Sequence, residues 1–183
     1  MMRTQRVLSL VVAFFLLAAA CGPSGADDSD VARGRKLQLA ALPVASEAAA
    51  YDAAARAAFD LGPGLTLLLH PLRLPRTAGY AGGDSVPAAL ARALQARGVV
   101  AGVCEPIRET ALDTPRCHTT VPGYIVRASD VFRVSTDTIE LYFSAEQFGP
   151  ASGQRPPALR FERIYQLVGG GSSWRVAREA RVR

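Results

Sequence analysis

The chain has no asparagine, a single lysine (Lys36), two histidines (His70 and His118) and one tryptophan (Trp174) among its 183 residues. Each shortage excludes chemistry. Lys36 sits in a small, polar stretch, so the rest of the chain offers no lysine for a Schiff base or a phosphate-binding loop. Without asparagine, no such carboxamide can serve an oxyanion hole. Long apolar runs are also missing after the first twenty residues: residues 65–69 are leucine-rich but far short of the roughly 20 that a bilayer-spanning helix needs. The positive charge is almost all arginine, scattered from Arg33 to Arg183. It forms no block of five or six and no aromatic interleaving, which argues against a nucleic-acid groove.

What is present begins with a three-part N-terminus. Arg3 and Arg6 are followed by an uncharged run over residues 7–20, with Leu8, Leu10, Val11, Val12, Phe14, Phe15, Leu16 and Leu17 at its centre. A positive n-region, a short apolar stretch and small residues at its end are the layout of an export signal, and the run is short for a retained anchor.

At Ala18-Ala19-Ala20-Cys21 the chain resembles the lipobox of bacterial lipoproteins, with Ala18 where that family prefers leucine. The resemblance implies diacylation of the Cys21 thiol and cleavage before it; ordinary cleavage after Ala20 is the rival. Each buried CH₂ contributes about 0.8 kcal/mol, so one acyl chain binds reversibly and two or three hold stably. Gly22 follows the cysteine, where aspartate retains many such proteins in the inner membrane. The family rule therefore points to the outer membrane, facing the periplasm, in a cell that has one.

This divides the chain into a signal peptide (1–20), a lipidated cysteine with a flexible tether (21–36) and one globular domain (37–183). The tether carries Asp27, Asp28, Asp30, Arg33, Arg35 and Lys36 and little that could be buried. Loss of Arg3 and Arg6 takes the formal charge from +5 to +3. The remaining length suffices for one core, since a domain near 150 residues buries about 68–70% of its unfolded surface.

Within the domain, residues 44–60 are alanine-rich, with Pro43 before them and Gly62 after, and predict a helix. Tyr51, Ala55 and Phe59 form its apolar stripe, and Asp52 and Arg56 pair at i,i+4. Residues 65–69 predict a buried strand, and a second helix follows with Ser85 as cap, Pro87 in its first turn, Leu90 and Leu94 inward, and Gly98 as terminator. Residues 99–103, 124–127, 131–134 and 138–145 predict strands; in the last, Ile139, Leu141 and Phe143 alternate with Glu140, Tyr142 and Ser144. Residues 160–168 and 174–182 flank Gly169-Gly170-Gly171-Ser172-Ser173, a hairpin signal, and Trp174, Val176, Ala180 and Val182 are expected to share a face.

The expected fold is α+β, with N-terminal helices packed on a curved antiparallel sheet built mainly from the C-terminal half. This order, and the ending Tyr165, glycine-rich turn, Trp174, resembles the cone-shaped nuclear transport factor two-like superfamily. The resemblance covers the last third of the chain and implies ligand or partner binding more often than catalysis.

Three cysteines are an odd number for an exported chain. Lipidation of Cys21 accounts for one, and outside the cytoplasm Cys104 and Cys117 are expected to form a disulfide. The competing metal reading of Cys104, Cys117 and His118 lacks a fourth ligand, so no metal and no cofactor are expected. Gly83-Asp84-Ser85 resembles the nucleophile block of the Gly-Asp-Ser-Leu hydrolases, but Leu67 and Pro115 stand three residues before His70 and His118, where those enzymes place aspartate. Helix capping accounts for Asp84 and Ser85. Glu140, Glu162 and Glu179 are expected as solvated charges on strands, and His70 as a hydrogen-bonded, half-buried ring.

The sequence therefore predicts a membrane-tethered envelope lipoprotein with a non-catalytic binding or structural domain, whose partners are the membrane, through Cys21, and an envelope protein, with no nucleic acid. The alternative is a small-ligand binder or enzyme using a pocket between sheet and helices. A deep apolar pocket holding His70, Tyr124 or a buried carboxylate favours the alternative; a solid core with a flat exposed apolar patch favours the first reading.

Overall fold

A computed structural model describes residues 38–74, 83–107, 116–118, 123–148 and 159–182. The signal, Cys21 and the tether lie outside the described residues. Strands are β1 (Gln38–Leu39), β2 (Leu67–Leu69), β3 (Gly102–Val103), β4 (Glu105–Ile107), β5 (Arg116–His118), β6 (Gly123–Ala128), β7 (Phe132–Arg133), β8 (Thr138–Phe148), β9 (Leu159–Gly170) and β10 (Ser173–Arg181). Helix α1 spans Val44–Ala58 and α2 spans Ala88–Ala96.

Helix α1 forms where alanine dominates, and Pro43 at its N-cap has the fixed φ that can lead into a helix without a donor to lose. It ends where Phe59 turns extended, at φ −137°. Asp52 pairs with Arg56 at 2.6 Å as its i,i+4 spacing requires, and also with Arg97 beyond α2 at 3.3 Å. The buried stripe of α1, including Tyr51, Ala54 and Ala55, packs on α2, β9 and β10. Helix α2 departs from expectation at its start. Its N-cap is Pro87, with no side-chain cap. Ser85 instead forms an isolated antiparallel bridge with Leu72, so backbone pairing within the β2–α2 connection takes the residue that local capping chemistry suggested for the helix.

Eight strands form one mixed sheet, and β4 pairs with β5 separately. The expected antiparallel part is present: β8 pairs with β9 along one edge, and with both β6 and β7 along the other, while β10 pairs with β9. What differs is β2, which runs parallel to both β3 and β6. The β2–α2–β3 crossover returns the chain in the same direction, which a hairpin cannot do. One face of the sheet carries Ile139, Leu141, Phe143, Ala145, Tyr165 and Leu167 into a single core with Tyr51, Ala54, Leu67, Leu90 and Leu94.

The β10 pattern is corrected by a bulge between Val176 and Arg178. Val176 stands opposite Leu167 on the core face, but Ala180 stands opposite Ile164 on the other. One inserted residue flips every later side chain. Trp174 and Val176 therefore share the core face with Glu179 and Arg181, and Ala180 falls on the far face.

The β9–β10 hairpin turns where predicted. Gly169, at φ +135°, has its missing Cβ position 2.2 Å from the Ser173 carbonyl oxygen, and Gly171 turns the chain at φ +60°. Both positions need glycine, one for space and conformation and the other for conformation alone.

These connections give the domain two ends. At one, Gln38 pairs with Arg133, the Gly169 amide donates to Asp137 across neighbouring turns, and Trp174 Nε1 donates to Ser46 Oγ at 3.2 Å in the first turn of α1. At the other, Gly123 opposes Phe148, and Phe59 just past α1 meets Tyr124 and Phe161. At about 1.5 Å per residue, the 15 residues of α1 separate the two by about 22 Å.

Candidate functional site

Among the described residues, a cluster of buried and half-buried polar groups gathers beside α1. Arg73 follows β2, with its side chain 9% exposed. Its Nη1 reaches Glu47 Oε1 at 2.6 Å, the Tyr51 hydroxyl at 2.7 Å and Asp130 Oδ1 at 3.3 Å. Glu47 and Tyr51 are presented together because they are four residues apart on α1. The Tyr51 hydroxyl donates to the Ser129 carbonyl, with Glu47 Oε1 3.2 Å away.

Burial pushes the Tyr51 hydroxyl well above its usual range, and the negative charge of Glu47 adds to the rise. Burial works against the Arg73 charge, but Tyr51, Glu47 and Asp130 outweigh it and raise its pKa. The backbone around Arg73 is equally committed. Its amide donates to Asp84, and its carbonyl accepts from Arg127 Nη2 at 2.8 Å. The cluster thus joins α1, the turn after β6 and both sides of the β2–α2 connection.

His70 belongs to the same connection. It is 6% exposed, and its Nδ1 accepts from the Leu72 amide at 3.0 Å, with the Leu72 carbonyl 3.1 Å from the same nitrogen. This is the hydrogen-bonded histidine expected from sequence, though more deeply buried than expected.

On the far face of the sheet, Arg127, Ser144 and Glu162 stand in register across β6, β8 and β9. Burial lowers the Arg127 pKa against the pull of Glu146 and Glu162, and burial raises that of Glu162 against the pull of Arg127. Four residues earlier in β8, Glu140 is 3% exposed. Its Oε2 accepts from Gln166 at 3.1 Å, and Oε1 is buried without a hydrogen-bond partner. The expectation of a solvated Glu140 is therefore corrected. Strand alternation set its face, but only the curled sheet set its burial. Glu179 pairs with Arg163 at 2.7 Å and is the more solvated of the expected charges.

Tyr165 is 1% exposed, and burial pushes its hydroxyl up to about 12, with Glu179 adding and Arg163 opposing. A tyrosine that holds its proton more tightly when folded stabilises fully below the unfolded value near 10, and that stability is lost as pH rises through the folded value. Denaturant midpoints are expected to fall between pH 10 and 12, and to fall less in Tyr165→Phe. Identical profiles for the two proteins would count against this role.

An open depression of about 450 Å³ at the end of α1 is lined by residues 56–61. Behind it the Phe59 ring lies 5.0 Å from Tyr124 and 5.6 Å from Phe161, between centroids. Arg163 sits over Phe161 at 5.3 Å. Of these three rings only Phe59 lines the depression, beside Arg56 and Asp60; a ring next to a charge suits contact with a small aromatic cation. His70 and Glu140 do not line this depression.

Cys104 is 3% exposed and disulfide-bonded. The antiparallel β4–β5 pair sets Cys117 opposite Pro106, and His118 opposite Glu105. Among the described residues no group of three His, Cys, Asp or Glu side chains is placed to hold a metal. No described helix is long and apolar enough to cross a membrane. Comparison of the chain with protein-family models, curated proteins and solved structures finds no match.

Sequence reasoning missed the Arg73 cluster. The i,i+4 spacing of Glu47 and Tyr51 was a usable signal for part of it. Nothing local pointed to Arg73 or Asp130, which are 57 positions apart.

Proposed function

We propose that the chain is a membrane-tethered envelope lipoprotein, anchored through lipid on Cys21, whose domain binds or supports another envelope component without catalysing a reaction. The observation that carries this reading is the disulfide-bonded Cys104. A disulfide suits an oxidising compartment, and with Cys117 as the proposed partner it leaves Cys21 as the one thiol to be explained. Support for a binding or structural role comes from Arg73, Glu47, Tyr51 and Asp130, whose polar atoms are engaged in tying fold elements together. For the architecture we propose the cone-shaped class that the sequence resembles, supported by α1 lying across β9 and β10, with the parallel β2–β3 pair as an addition.

Cys21→Ser is expected to abolish incorporation of labelled fatty acid and to move the protein from the membrane fraction to the soluble fraction. Retention of the variant in membranes would overturn the reading. A second reading, a small-ligand binder, is favoured by the depression at residues 56–61 with Phe59, Tyr124 and Phe161 behind it. Its distinguishing mark is a saturable change in tyrosine or tryptophan emission with an aromatic cation, absent in Phe59→Ala.

A further inference from the structure

Four large apolar side chains are notably exposed among the described residues: Leu39, Val44, Val103 and Val134. Three of them gather at one end of the domain. Leu39 opposes Phe132 in the β1–β7 pair, and Val134 is the first residue past β7, in the turn to β8, where its amide donates to the Thr138 carbonyl. Val44 opens α1, five residues after Leu39. The β7–β8 turn and the β9–β10 tip close this end. Its segments, residues 38–45, 132–137 and 169–173, carry two charged side chains of opposite sign, Arg133 and Asp137, and Arg133 is exposed beside the Thr136 carbonyl. The net charge of this end is zero, and an exposed arginine suits the headgroup layer of an anionic bilayer.

The chain enters the described domain here, at Gln38. Sixteen residues lie between Cys21 and Gln38, and a coil of that length has an end-to-end distance on the order of 20–25 Å. A globular domain of this size has a radius of gyration of about 15 Å. The end bearing Leu39 is thus held close to the lipid, and the opposite end sits roughly a domain's width further away. Arg33, Arg35 and Lys36 immediately precede this end in sequence, with Asp27, Asp28 and Asp30 nearer Cys21, so the stretch as a whole has no net charge and its basic half is next to the domain.

On this basis, and resting on the lipoprotein reading above, we infer that the end formed by Leu39, Val44 and Val134 docks on the bilayer surface. The domain then stands in a fixed orientation, with the depression at residues 56–61 and the Phe59–Tyr124–Phe161 cluster turned away from the membrane. The tether supplies the high local concentration that lets three modest apolar contacts suffice.

Trp174, the only tryptophan, is held against the first turn of α1 by Ser46 and so reports on this end. The test uses the full chain with its lipid, reconstituted in vesicles of phosphatidylethanolamine and phosphatidylglycerol, with and without brominated phosphatidylcholine. Quenching of Trp174 by the brominated lipid is expected to be at least twofold. It should be lost on combining Leu39→Glu, Val44→Glu and Val134→Glu, and retained in Val103→Glu, which changes an exposed valine on another edge. The milder pair Leu39→Gln and Val134→Gln gives the same comparison if the triple change unfolds the domain. Protein that floats with the vesicles but shows no quenching, or equal quenching in all variants, overturns the docking. Protein that neither floats nor carries added acyl mass on Cys21 overturns the lipoprotein reading itself, and the docking falls with it.

Discussion

Replacement of Arg73 by methionine is expected to destabilise the domain by about 3–5 kcal/mol, the cost found when one partner of a buried ion pair is removed. Methionine fills a similar volume, so the effect isolates charge and hydrogen bonding. Glu47 and Asp130 would be left facing each other in a half-dry site, with side chains 14% and 21% exposed, and the Tyr51 hydroxyl would lose a donor. The damage would not stay local, because Arg73 joins α1 to the β6–β7 turn and its own backbone carries the β2–α2 connection. At roughly 2–4 °C per kcal/mol for a domain of 150–250 residues, Tm should fall on the order of 10 °C. Arg133→Met provides the contrast: that guanidinium is exposed, with the Thr136 carbonyl at 3.4 Å, and its loss should stay within about 0.5 kcal/mol. Adding Glu47→Gln to Arg73→Met should recover part of the loss, since the two residues share one cluster. Similar melting temperatures for Arg73→Met and Arg133→Met would show that the cluster does not clamp the fold.

The second large effect is expected from the proposed bridge between Cys104 and Cys117. In the chain-entropy picture, closing a loop of this length contributes about 3 kcal/mol, less where the native geometry is strained. The gain falls on a specific segment, the β4–β5 pair that follows the buried Cys104. Reduction of the intact protein, or Cys117→Ser, should lower Tm by several degrees and open this hairpin to proteolysis. Intact-mass measurement should find the wild-type protein two protons lighter than its reduced form. Cys104→Ser should be worse than Cys117→Ser, because it also places a hydroxyl in a site that is 3% exposed. A protein whose two thiols alkylate without prior reduction would remove the bridge, and with it the main support for an oxidising address.

Local chemistry was enough to determine much of this molecule. Alanine content and flanking Pro43 and Gly62 set α1 to within two residues, because helix propensity and termination act over a few neighbours. Alternation over residues 138–145 set the core face of β8, and the glycine run placed the β9–β10 turn. Both follow from the two-residue period of a strand and the conformational freedom of glycine.

Other features were decided only in three dimensions. The bulge after Val176 moved Ala180 to the far face, because it answers to the twist of the partner strand and not to the pattern of β10 itself. Ser85 was drawn from a helix cap into a bridge with Leu72, and β2 became parallel because of where α2 returned the chain. The burial of Glu140 and the meeting of Arg73 with Glu47, Tyr51 and Asp130 belong to the same class. Solvent exclusion and ion pairing depend on distance in space, and sequence separation carries almost no record of it. The sequence by itself determined the local elements, and it is the sole ground for expecting an export signal and a lipid site at Cys21. Tertiary structure alone decided which charges are buried, and which end of the domain exposes Leu39, Val44 and Val134.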